Sequence, residues 1–75
     1  MTSVDRPRKR SLRLQGHQTS VSLEDAFWSE FQRLAAQQGL SVNALASRLD
    51  QDRTPPESLA SAIRLFVLSE VKAGH

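Results

Sequence analysis

Few residues in this chain are equipped for covalent or metal chemistry. There is no cysteine, so neither a disulfide nor a thiolate metal site can form. The histidines, His17 and His75, are far apart, and only His17 lies in the body of the chain. Serines are plentiful, but no nucleophile, base and acid can be assembled around one histidine, and no glycine-rich phosphate loop occurs. Asp50 and Asp52 belong to a polar turn; a calcium loop needs more oxygen ligands at regular spacing. The expectation is a protein that is not an enzyme and uses no cofactor and no metal.

What the chain does carry is binding chemistry. Residues 1–13 hold Arg6, Arg8, Lys9, Arg10 and Arg13 against Asp5, a net of +4. Residues 14–75 hold five basic and seven acidic residues, a net of −2. A basic arm on a mildly acidic body suits a polyanion, and the plainer reading is a solvated tail. No long apolar run follows the arm, so a secretory signal is not expected; an amphipathic presequence is a lesser alternative. The longest apolar runs fall far below the roughly 20 residues that span a bilayer. The lack of cysteine fits a reducing cytosol.

Several elements must position these groups. Residues 1–13, rich in charge, are expected to be a disordered arm, and residues 14–75 one domain. After Gly16, Gln18 to Leu23 alternates: Thr19, Val21 and Leu23 point one way, Gln18, Ser20 and Ser22 the other. β-Branched residues at period two mark a half-buried strand. No second strand pattern stands out, so the simplest partner for its open edges is the same strand of another copy.

Residues 25–38 read as a helix with Phe27, Phe31, Leu34 and Ala35 on one face, Trp28 at its margin and Gly39 as the left-handed stop. Ser41 caps a second helix with the stripe Val42, Leu45, Ala46 and Leu49. A polar break at Asp50–Arg53 precedes Thr54-Pro55-Pro56-Glu57, which reads as the start of a third helix over about 55–72. That helix places Leu59, Ile63, Phe66 and Val67 on one face, and Leu65, Leu68 and Val71 elsewhere. A core this small supplies only about 3–5 kcal/mol. The second apolar side therefore points to burial against another subunit.

The order strand, helix, Gly-x-Ser turn, helix resembles the ribbon-helix-helix family of bacterial DNA-binding regulators, the group of the Arc and MetJ repressors. The likeness rests on Thr19-Ser20-Val21-Ser22-Leu23 and on Gly39-Leu40-Ser41-Val42-Asn43, one helix later. His17-x-Thr19-Ser20-Val21-Ser22-Leu23-Glu24 with Phe27-Trp28, and Leu59 to Val67, resemble a short bacterial subgroup with an added C-terminal helix.

The resemblance implies a mostly α fold in which one short β-strand pairs with its mate in an intertwined homodimer. It implies double-stranded DNA as partner, a transcriptional regulator of repressor type, and a cytoplasmic, nucleoid-associated place. By position, Gln18, Ser20 and Ser22 would face base edges in the major groove. Arg6, Arg8, Lys9, Arg10 and Arg13 would meet phosphates. So would the start of the second helix at Ser41, Val42 and Asn43, where unbonded N–H groups attract anions. Val21, Leu23, Phe27, Phe31 and Leu45 would form the dimer core, with Thr19 beside them. On this reading Gln18 is the only long side chain on the ribbon. The alternative is a dimeric protein-interaction module or antitoxin-like adaptor, with a second protein partner held by the C-terminal helix and no membrane involved.

Overall fold

The computed structural model describes residues 5–74; residues 1–4 of the expected arm and His75 lie outside the described residues. The elements are β1 (Arg8–Leu14), β2 (His17–Leu23), α1 (Asp25–Gln37), α2 (Val42–Asp52) and α3 (Leu59–Lys72). β1 and β2 form an antiparallel hairpin, with Arg8 opposite Leu23 and Leu14 opposite His17. Gln15 and Gly16 link them at φ 53° and 83°. Two positive φ values in a two-residue loop mark a type I′ turn, whose twist matches that of the strands.

The hairpin corrects the expectation of a lone strand and a disordered arm up to residue 13. The physical reason is Leu12 and Leu14, which are 2% and 8% exposed within the core. Burying such side chains stabilises by roughly 1.5–3 kcal/mol each. That is a large share of what so small a core can supply. Their charged neighbours hid the alternation Arg10, Leu12, Leu14 that mirrors Thr19, Val21, Leu23.

α1 ends in a Schellman motif. The Leu40 N–H donates to the Ala35 carbonyl at 2.9 Å and the Gly39 N–H to that of Ala36 at 3.0 Å, with Gly39 at φ 70°. α2 starts as expected: the Ser41 hydroxyl accepts the Ala44 N–H at 3.0 Å. It runs through the expected break, to Asp52. α3 starts later than expected, because Ser58 and not Thr54 is its cap, accepting the Ser61 N–H at 3.1 Å. Pro56 explains this, since a residue before proline is pushed out of the helical region, so Pro55 cannot open a helix. Thr54 to Glu57 closes a turn instead.

Leu12, Val21, Leu23, Phe31, Leu34, Leu45, Ile63 and Val67 are buried between the hairpin and the three helices. Phe66 meets the Phe31 ring edge-on at 6.3 Å. Thr19 departs from expectation: it shares the inward parity of Val21 but is exposed near the turn. Leu65, Leu68 and Val71 stand out on α3 at 57%, 51% and 47% exposure.

Candidate nucleic-acid interface

Strand parity sorts the hairpin into two faces. Leu12, Leu14, Val21 and Leu23 go inward, so Lys9, Ser11 and Arg13 of β1 go outward with Gln18, Ser20 and Ser22 of β2. Across the hairpin these residues pair as Lys9 with Ser22, Ser11 with Ser20, and Arg13 with Gln18. Lys9, Ser11, Gln18, Thr19 and Ser20 line a shallow depression. The outward face carries two cations, one amide, three hydroxyls and no acid. Neither Lys9 nor Arg13 forms an ion pair among the described residues. Sequence reasoning placed Lys9 and Arg13 in a loose arm; the hairpin sets them beside Gln18, so Gln18 is not the ribbon's only long side chain.

The other arginines of the arm are placed differently. Arg10 shares the inward parity, and only 15% of its side chain is exposed. It donates to the Leu23 carbonyl at 3.3 and 3.1 Å and to the Asp25 carboxylate, and its guanidinium lies 5.6 Å from the Trp28 ring centroid. It is a fastener between hairpin and α1, off the outward face. Arg8 lies 3.7 Å from Asp25 with most of its side chain exposed, and Arg6 is exposed ahead of β1. The hydrogen bond from Arg10 holds the Asp25 carboxyl below its ordinary pKa.

Asp5 has a role that its place in the basic arm concealed. Its carboxylate accepts the N–H groups of Asp25 and Ala26 at 3.1 and 3.0 Å, capping α1 from a distance. Glu24, at the cap position, makes no such bond. Its carboxylate faces Arg64 instead, at 2.9 and 3.2 Å, which lowers its pKa. Arg64 also donates to the Ser22 carbonyl at 3.2 Å.

The start of α2 lies against the hairpin. The Asn43 side-chain oxygen accepts the Arg13 N–H at 3.0 Å. This bond covers the outer edge of β1 and places the first turn of α2 next to Arg13. Ala44 is satisfied by Ser41, while the N–H groups of Val42 and Asn43 belong to the helix start that has no intrahelical acceptor. Ser41 and Asn43 are exposed and Val42 is half-buried. The ribbon and the helix start, read separately from the sequence, are thus neighbours. The residues assigned to a dimer core lie in the core of the single chain: Val21, Leu23, Phe31 and Leu45 are buried, and Phe27 packs against them half-buried.

A family model described as a ribbon-helix-helix domain matches residues 7–71. The chain belongs to the ribbon-helix-helix family. The match takes in β1 and α3 as well as the strand, turn and helices that carried the resemblance. Domains of this family are DNA-binding or regulatory modules, typically without catalytic activity. No curated protein matches the chain. Among solved structures, this ribbon-helix-helix chain is similar to an uncharacterized protein from Bordetella pertussis Tohama I, at 31% identity and a TM-score of 0.67. The similarity covers 89% of this chain and 58% of that one, so the chain spans little more than half of its length. No helix among the described residues is long and apolar enough to cross a membrane.

Proposed function

We propose that this protein binds double-stranded DNA sequence-specifically as a homodimer and acts as a small transcriptional regulator of repressor type. The observation that carries the reading is the outward face of the hairpin, where Lys9, Arg13 and Gln18 stand among three serines without an acidic residue. In the intertwined homodimer the β2 strands pair at their outer edges, giving the strand order β1, β2, β2, β1 over the two chains. Val21, Leu23, Phe27, Phe31 and Leu45 then lie beneath the joined ribbon. Three spacings of about 4.8 Å make that ribbon about 14 Å wide. The major groove is about 12 Å wide.

That width assigns the roles. The central strands enter the groove, where Gln18 suits adenine N6 and N7, and Ser20 and Ser22 add less selective bonds. The outer strands meet the groove walls, so Lys9 and Arg13 reach phosphates. The start of α2, at Ser41, Val42 and Asn43, takes a further phosphate beside Arg13. Arg6 and Arg8 extend the basic track, and Arg10 holds the hairpin in place. The protein then works in the cytoplasm, at the nucleoid.

A salt titration of binding to genomic fragments and to a random duplex tests this. Some fragments should bind more tightly than random duplex at every salt concentration, with log affinity falling linearly in log salt. Equal binding to both, or none at low salt, refutes it. The competing reading, a protein-interaction or antitoxin-like adaptor, is favoured by one observation, the exposed Leu65, Leu68 and Val71. It requires binding of another protein with no response to DNA.

A further inference from the structure

We infer that Asp5, the acid inside the basic arm, is a positioning residue for DNA binding: it pins the start of β1 to α1 and so holds Lys9 in place at the groove wall. The inference rests on the DNA reading above and adds to it a residue that touches no DNA.

Little else secures that end of the hairpin. The first three residues of β1 are Arg8, Lys9 and Arg10, and Leu12 is the first of the strand to bury an apolar side chain. A two-residue turn makes Leu14 and His17 a hydrogen-bonded pair, and alternation along the ladder makes Lys9 and Ser22 a pair that exchanges no backbone bonds. Residues this close to a chain end order poorly unless something ties them down. Arg10 ties the strand just after Lys9, through the Leu23 carbonyl and the Asp25 carboxylate. Asp5 ties it before Lys9, where its carboxylate accepts the Asp25 and Ala26 N–H groups at 3.1 and 3.0 Å.

The link from Asp5 to the strand is stiff. Pro7 fixes its own φ, and Arg6, which precedes it, is pushed to extended backbone. A hold on Asp5 therefore passes to Arg8 and Lys9 and is not lost in a loose loop. The first turn of α1 has N–H donors without intrahelical acceptors and a partial positive charge, which a carboxylate satisfies. Glu24, at the cap position, makes no side-chain bond there and leaves those donors to Asp5.

Charge alone predicts the opposite effect. An acid in an arm that meets a polyanion weakens the attraction, so its removal should tighten binding. Positioning predicts a loss, because apparent affinity falls with the fraction of molecules that hold the competent arrangement. The sign of the change separates the two.

The test measures binding of the full chain to a random duplex at fixed salt. Asp5→Ala should weaken it about three- to tenfold. Asp5→Asn removes the charge but keeps an oxygen that caps as well as aspartate, and should bind at least as tightly as wild type. In a Lys9→Ala background, Asp5→Ala should cause no further loss, because the two residues act through one contact. Amide exchange without DNA should show the Asp25 and Ala26 N–H groups protected in wild type and exposed in Asp5→Ala. The inference is overturned if Asp5→Ala binds as tightly as wild type or tighter, or if Asp5→Asn binds no better than Asp5→Ala. An equal loss with and without Lys9, or unprotected wild-type amides, overturns it as well. Circular dichroism follows the fold, and an unfolded Asp5→Ala would mean that Asp5 supports the whole domain, which also overturns it. Wild type that binds no duplex refutes the DNA reading and the inference with it, whereas wild type that binds while Asp5→Ala loses nothing refutes the inference alone.

Discussion

Neighbouring residues on β1 should report opposite functions. Leu12 is buried in the core and Arg13 faces outward. Leu12→Ala removes a core side chain, a change that costs about 2–5 kcal/mol. A domain of this length has a total stability of about 4–11 kcal/mol. With a urea dependence of about 1 kcal/mol per molar, the midpoint should fall by about 2 M or more. Arg13→Ala keeps the backbone N–H that Asn43 accepts, and should change stability by less than about 0.5 kcal/mol. If each Arg13 of the dimer neutralises one phosphate, its loss should lower the salt slope of DNA binding by about 1.8. Unfolding is followed by circular dichroism at one fixed protein concentration, because dimerisation couples stability to concentration. An unmoved midpoint in Leu12→Ala would mean that residues 8–14 do not pack. An equal loss in Arg13→Ala would mean that the strand faces are wrongly assigned. An unchanged salt slope would remove Arg13 from the interface.

Gln18→Ala should weaken a preferred site by about 1–3 kcal/mol and a random duplex little; equal losses in a binding titration would exclude Gln18 as a reader. Asn43→Ala should cost about 0.5–1.5 kcal/mol of stability and weaken all DNA alike, since it frees the β1 edge from α2; a selective loss at one sequence would contradict a positioning role. Glu24 and Asp25 both have depressed folded pKa values, so their contribution is full above the ordinary carboxylate range and is lost as pH falls through the folded values. Arg64→Ala should flatten part of that acid-side loss in urea titrations, and an unaltered pH profile would show that the Arg64–Glu24 pair is not coupled to folding.

The helices, and the turn between the first two, were legible because their signals are local. Phe27, Phe31, Leu34 and Ala35 repeat at helical spacing, Gly39 supplies the left-handed stop, and Ser41 supplies a cap within three residues of its donor, the Ala44 N–H. The third helix was found with its start misplaced, since Thr54-Pro55 imitates a helix start until the steric effect of Pro56 is counted. β1 was missed because its first three residues, Arg8, Lys9 and Arg10, carry charge, and composition outweighed the two leucines. Leu12 and Leu14, two apart and followed by Gln15-Gly16, were the signal that could have found it.

For β2 and the helices, the sequence alone determined which residues could face outward and which could enter a core, because side-chain period is a property of the backbone and survives without tertiary context. It also determined the family likeness, through a strand and a turn one helix apart. Only the tertiary structure decided how the basic residues divide. Lys9 and Arg13 face outward beside Gln18, while Arg10 turns to Leu23, Asp25 and Trp28, and Asp5 caps α1. These partners lie between 13 and 21 residues apart along the chain, the Arg10–Trp28 stacking included. Local charge patterns carry no record of such distances. The pairing of β1 with β2 creates them, because burying Leu12 and Leu14 fixes the face to which every other side chain of that strand must turn.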